Sequence, residues 1–284
     1  MKSRAGFLSR RIATAALALS CMALSAARAE GLPRIVSMNA CTDQLLIALA
    51  DPGQILGISR FARDAWQSRM GGDPRDYRVL SGAEEVLVLR PDIVVASLFD
   101  RRTTRELLKA KGFHLEEFGV PNSLDEVKDQ IRRMEDIVGH PDRAAAEIAR
   151  LDQALARARQ AMSGKHYSVL PLQRRGWVTG SDSLLGSLLS EVGLSNAAGE
   201  LGVTSGGYAT LEAIVNARPD FIVVSEAGDH APDEGSAFLL HPALERFYPA
   251  SKRIVIPDRL AVCGGVLLAD ALDRLVTELE RVGR

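Results

Sequence analysis

Between Pro141 and Met162 the apolar positions fall at Ala144, Ile148, Leu151, Leu155, Ala158 and Met162. Their spacing alternates between four and three, so the pattern predicts one long helix with a narrow buried stripe. No Gly or Pro interrupts it after the first residue. Gly139 closes the helix before it, while Pro141 and Asp142 suit a first turn, where a missing N–H costs nothing and a carboxylate complements the dipole. At about 1.5 Å per residue such a helix spans roughly 33 Å, the width of a small domain.

The pattern on either side of this helix repeats. Residues 81–97 read SGAEEVLVLRPDIVVAS and residues 209–225 read ATLEAIVNARPDFIVVS. Without a gap they align Glu84 with Glu212, Arg90-Pro91-Asp92 with Arg218-Pro219-Asp220, and Ser97 with Ser225. Each copy predicts a short helix, a Pro-marked stop and a β-branched strand buried on both faces. The fold class expected is α/β, with two Rossmann-like lobes joined by a single long helix. The boundaries predicted are an N-terminal lobe over residues 30–140, the joining helix over 141–162 and a C-terminal lobe over 163–284.

Other elements follow the same alternation. Residues 34–38 and 55–59 predict strands, with Thr42 or Asp43 capping a helix that ends at Leu49. Residues 113–118 predict a strand, and 123–138 a helix capped by Ser123 with Glu126 at the third position. In the second half, residues 177–182 read as a loop and 202–208 as a glycine-rich approach to the second repeat. Residues 253–256 predict a strand, and 264–282 a terminal helix of period 3.6. Strands alternating with helices at this spacing imply largely parallel sheets.

Composition adds a targeting segment. Lys2, Arg4, Arg10 and Arg11 precede an apolar run over residues 12–24, and Ala27-Arg28-Ala29 is a small-x-small cleavage site. These features predict a secretory signal peptide over residues 1–29, cleaved after Ala29 and too short for a permanent anchor. Cys21 offers the rival reading of a lipoprotein cysteine, against which Ala18-Leu19-Ser20 makes a poor lipobox. Removing residues 1–29 takes five of the 35 basic residues and none of the 36 acidic ones, leaving a net charge of −6. A nucleic-acid partner is not expected of such a chain.

The motifs RIVSMNACTDQLLIALADPGQILGIS, AEEVLVLRPDIVVAS with its second copy, HPALERF and RIVIPDRL cover nearly the whole mature chain. Together with the joining helix, they resemble the class III periplasmic solute-binding proteins of ABC importers, which include cobalamin-, siderophore- and haem-binding members. The resemblance implies a monomer in the periplasm, with a ligand cleft between two lobes and a small-molecule metal chelate as cargo: a ferric siderophore, a corrinoid or haem. It also implies an ABC permease as partner, docked through Glu84 on one lobe and Glu212 on the other. Two carboxylates on a rigid frame can meet guanidinium forks on a two-fold partner; alternatively, each complements its own helix N-terminus.

Open α/β sheets bind ligands at the carboxyl ends of their strands. That rule selects Asn39, Cys41, Arg60, Phe61, Trp66, Ser97, Phe99, Trp177, Thr179, Gly207, Tyr208 and Arg259. Arg60, Arg63 and Arg259 would give the cleft a basic lining suited to an anionic ligand. Within the family layout, Cys41 and Cys263, each read as preceding a helix, face the cleft near the lobe junction. A disulfide between them, two buried thiols, and a ligand-binding pair are the alternatives. The five histidines show no metal-ligand spacing, so neither a metal site nor an intrinsic cofactor is expected. GxSxG, P-loop and GxGxxG motifs are missing, and a binding protein rather than an enzyme is expected.

Overall fold

The computed structural model describes residues 31–64, 77–225 and 234–283, and its main compact unit is Pro33–Arg284. The signal-peptide segment, Trp66 and most of the acidic loop after Ser225 lie outside the described residues.

The chain builds two parallel sheets, one on each side of the joining helix. Ile35–Ser37 (β1), Ile55–Ser59 (β2), Val79–Leu80 (β3), Ile93–Ser97 (β4) and Leu115–Phe118 (β5) form the first, in the order β3-β2-β1-β4-β5. Ser168–Pro171 (β6), Ser195–Asn196 (β8), Phe221–Val224 (β10) and Arg253–Val255 (β11) form the second, in the order β11-β10-β6-β8. Trp177–Thr179 (β7) and Gly206–Tyr208 (β9) pair antiparallel as a separate ribbon. The central strands are apolar runs because helices cover both faces: Ile35, Val36, Val94, Val95, Leu170 and Ile222 are fully buried.

The two repeat copies occupy equivalent places. β4 lies beside β1, as β10 lies beside β6, each as a parallel pair. In each lobe the central pair is flanked by one strand on either side, so the order β2-β1-β4-β5 matches β8-β6-β10-β11. Arg90 and Arg218, aligned in the repeat, end equivalent helices in the left-handed region, with φ of 47° and 49°.

The joining helix runs over Pro141–Met162 and buries Ala144, Leu151, Leu155, Ala158 and Met162, with Ile148 half-buried. It belongs to one hydrophobic core that also takes in Leu46 and Met134 from the first lobe and Leu188, Leu272 and Leu275 from the second. Ion pairs fix both of its ends. Arg143 reaches Asp51 at 2.5 Å, while Arg150 and Arg157 each meet an aspartate of the terminal helix, Asp270 and Asp273, at 2.7 Å.

Three local expectations are corrected. Asn39, not Thr42 or Asp43, caps the first helix, Ala40–Leu49, its Oδ1 accepting the Cys41 N–H at 2.8 Å. Thr42 and Asp43 are buried instead, bonded to Ser37 and Ser59 on adjacent strands. Residues 177–179 are a strand, not a loop, since Trp177 stands opposite Tyr208. The terminal helix is Leu268–Val282; Gly264, at φ +53°, lies outside it. Cys41 is therefore inside the first turn of its helix, while Cys263 stands five residues ahead of one.

Candidate functional site

In each lobe the strand order reverses between the central pair, β1 and β4 or β6 and β10, and at that switch point the flanking loops diverge and leave a crevice. A cavity opens at the carboxyl ends in both lobes. The first, about 290 Å³, is walled by Ser59, Arg60 and Phe61 after β2 and by Phe99, Asp100 and Arg101 after β4. The second, about 420 Å³, is walled by Gln173, Thr179, Ser183, Ser225 and Asp258, with Val262 at its edge. A small gap of about 30 Å³ lies between the lobes, lined by Asn39, Ser97, Val120, Val262 and both half-cystines. Val262 lines both this gap and the second cavity.

At this junction Cys41 and Cys263 form a disulfide, their Cα atoms 4.9 Å apart and 222 residues apart in sequence. The bond ties the first helix of one lobe to the segment that leads into the terminal helix. Gly264 follows directly, and a Cβ there would collide with Leu184 and approach Pro121 Cγ at 2.8 Å. The close approach and the positive φ both require glycine.

The first cavity is basic and aromatic. Arg60 lies over the Phe61 ring, 4.8 Å from its centroid. Phe99 is 77% exposed, so its ring is open to an incoming ligand. Asp100 is held in place: Asn39 Nδ2 donates to one carboxylate oxygen at 3.1 Å and the Ser97 N–H to the other at 2.8 Å. Beneath them Asp43 is fully buried, accepting the Ser59 N–H at 3.0 Å and its hydroxyl at 2.5 Å. Burial pushes its pKa up to about 7, against the lowering by Ser37 and Ser59; the charge on Asp100 adds to the rise.

Among the described residues, the second cavity has no Lys, Arg or His in its lining. Asp258 is its single charged group among the described residues; the residue is solvent-exposed, yet enough protein surrounds the carboxyl to raise its pKa, against a hydrogen bond with Ser225. Trp177 and Tyr208 form an edge-to-face pair, centroids 5.0 Å apart. By strand alternation they share a face of the ribbon with Thr179, which lines the cavity, while Gly207 pairs with Val178 on the other face.

The predicted basic lining is partly redrawn. Arg60 lines the first cavity, but Arg63 donates to the Tyr77 carbonyl at 3.1 Å, and Arg259 is not among the residues walling the second. On its short helix, Arg259 is turned about 100° from Asp258. Arg101 and Asp258, which sequence reading passed over, stand close to loop positions that it chose, Arg101 two residues after Phe99 and Asp258 one before Arg259. The strand-end rule was signal enough to find both.

Glu84 and Glu212 sit in the first turns of helices Ala83–Leu89 and Leu211–Ala217. These helices run back against the strands, so their N-termini lie at the cleft edge of each sheet. Glu84 is exposed with no side-chain partner among the described residues, whereas Glu85 binds the Ser81 N–H at 2.5 Å. Glu212 is exposed too, its pKa lowered by its own backbone N–H, then by Thr210. No group of three or more His, Cys, Asp or Glu able to hold a metal ion occurs among the described residues.

Comparison with known proteins fits this architecture. A "Cobalamin-binding protein" of Halobacterium salinarum is 26% identical over 223 residues, which is 75% of this chain and 59% of that relative. The apo periplasmic heme-binding protein RhuT from Roseiflexus superposes with a TM-score of 0.70 at 24% identity, covering 89% of this chain and 100% of that one. Heme-binding HutB of Vibrio cholerae gives 0.70 at 20% identity, covering 86% and 97%. The ABC-type Fe3+-hydroxamate transport system protein of Saccharomonospora viridis gives 0.67 at 21%, covering 88% and 94%. At such identities the structural likeness speaks for the fold alone. Residues 35–256 match the family described as periplasmic binding protein, and the chain belongs to that family.

Proposed function

We propose that this protein is the periplasmic substrate-binding component of an ABC importer, capturing a metal chelate of the iron–siderophore or corrinoid type. The observation that carries this reading is the pair of cavities, one at the strand ends of each lobe, meeting at a junction stapled by a disulfide. A bulky chelate fills such a divided cleft better than a bare ion does. Arg60, Phe61 and Phe99 offer it charge and apolar surface on one side; Asn39 and Cys41 form the junction between the lobes; Thr179, with Trp177 and Tyr208 beyond it, meets it on the other. Haem is the second reading, supported by the exposed Tyr208 and by relatives described as heme-binding.

In this reading the protein acts as a monomer, exported with cleavage near Ala29, and binds its ligand without turnover. Glu84 and Glu212 dock one lobe on each permease subunit. Titration of the purified protein with ferrioxamine B, cyanocobalamin, haemin and ferric dicitrate, followed by tryptophan fluorescence, tests it. Saturable one-to-one binding of one chelate, recovered unchanged, is expected; no binding of any of them overturns the reading. Glu84→Ala with Glu212→Ala should then abolish stimulation of the reconstituted permease while leaving chelate affinity within about twofold.

A further inference from the structure

The two halves of the cleft carry opposite charge. On the first lobe Arg60 and Arg101 line the cavity, and neither has an ion-pair partner among the described residues. The one acid there among the described residues, Asp100, has its carboxylate oxygens occupied by Asn39 and the Ser97 N–H. That wall therefore offers donors and positive charge. On the second lobe the charge is reversed. Asp258 stands on the wall at the carboxyl end of β11, bonded to Ser225, and no cationic side chain shares that lining among the described residues. Gln173, Thr179 and Ser183 supply neutral polar groups around it.

A carboxylate accepts hydrogen bonds and donates none. An acceptor-only ligand edge placed against Asp258 would lose its water and gain a repulsive neighbour, which is costly in a partly enclosed site. A ligand edge carrying N–H groups would gain a charge-assisted bond. The opposite preference holds at Arg60 and Arg101, whose guanidinium groups only donate.

We infer that Asp258 is a specificity-determining residue that accepts a hydrogen bond from an N–H donor of the ligand, so that the cleft selects chelates with donors at one end and acceptors at the other and takes them in one orientation. This rests on the chelate-binding reading above and narrows it. Amide-fringed corrinoids and amine-bearing hydroxamates share the required chemistry; haem and ferric citrate, whose ionised peripheries only accept, do not.

Equilibrium titrations of wild type, Asp258→Asn and Asp258→Ala with cyanocobalamin, ferrioxamine B, haemin and ferric dicitrate test it. Wild type is expected to bind cyanocobalamin or ferrioxamine B, and which of the two binds identifies the source of the donor. Asp258→Ala should weaken that binding about tenfold or more, and Asp258→Asn, which keeps an acceptor oxygen and the shape, should recover part of the loss. Unchanged affinity for the donor-bearing chelate in Asp258→Ala overturns the inference. So does a wild type that binds only haemin or ferric dicitrate, which leaves the chelate-binding reading standing. Binding of none of the four overturns both.

Discussion

Asp92 and Asp220 make the same contact in the two lobes. Each carboxylate accepts a backbone N–H from the residue that leads into or opens the neighbouring strand, Arg34 or Ser168, at 2.8 Å. Each aspartate N–H returns to the carbonyl of that same residue, again at 2.8 Å. The repeat visible as Arg-Pro-Asp thus extends to the hydrogen bonds that set strand against strand. Asp92 goes further, pairing with the Arg34 guanidinium as well.

Removing one copy tests whether this turn is needed for pairing. Asp220→Ala should lower unfolding stability by about 1 kcal/mol, the net worth of one such bond, and Asp220→Asn by less because an acceptor remains. Urea melts of the two variants measure this. Equal losses would show that the carboxamide oxygen does not replace the carboxylate.

The disulfide closes a loop of 222 residues. In the chain-entropy model so long a loop is worth about 5 kcal/mol, and loss of a native bond typically costs about 2–5 kcal/mol. Reduction, or the paired change Cys41→Ala and Cys263→Ala, should lower the urea midpoint accordingly. Mass spectrometry of a non-reduced, alkylated digest should show the Cys41–Cys263 linked peptide, and two alkylated cysteines would contradict the bond.

Elements held by local pattern were legible in the sequence; those held by distant partners were not. The joining helix and the Arg-Pro-Asp strands follow from spacing, because one buried face dictates one period. The ribbon of Trp177–Thr179 and Gly206–Tyr208 has three residues on each side, too few for alternation to register. Its pairing depends on Trp177 finding Tyr208 across an intervening helix. Asn39, Thr42 and Asp43 are all good capping types, and only Ser37 and Ser59, on other elements, draw the last two inward. The strand-end rule picks out Arg60 and Thr179, which line the two cavities, and Asn39, which lines the gap between them, but charge counting along the chain could not show that the described linings of the two cavities differ in sign.

Glu278 carries a prediction about acid stability. Its side chain is 3% exposed and lies between Arg274 at 2.9 Å and Arg281 at 2.7 Å, while accepting the Val255 N–H of β11 at 2.9 Å. Burial pushes its pKa up, but the hydrogen bonds from Arg281 and Val255 and the two positive charges carry the net shift down. A depressed folded pKa means stability that is present above the unfolded value near 4.3 and is lost as pH falls through the folded one. Glu278→Ala should cost about 1–3 kcal/mol at pH 7, because the buried Val255 N–H loses its acceptor and Arg274 and Arg281 lose their carboxylate while keeping carbonyl acceptors. As pH falls through the folded pKa the gap between variant and wild type should narrow, and a constant gap across pH would exclude this ionisation as the cause.

Asp43 should act with the opposite sign. Its folded pKa, raised to about 7 by burial, lies above the ordinary aspartate value of 3.8. Between these values the folded protein holds a proton that the unfolded chain has released, so stability falls as pH rises. The slope from this one group is at most about 1.4 kcal/mol per pH unit, and it levels off above the folded pKa. Asp43→Asn cannot ionise. Its carbonyl oxygen can accept the Ser59 N–H, while its amide can donate to the Ser59 hydroxyl. Urea unfolding of wild type and Asp43→Asn at pH 4.5 and 7.5 separates this contribution from every other titrating group, because all the rest are common to both proteins. The variant should gain on wild type by roughly 2–4 kcal/mol between the two pH values. Parallel pH profiles would show that Asp43 ionises in the folded protein at an ordinary carboxylate pKa, with the Ser37 and Ser59 hydrogen bonds fully offsetting its burial.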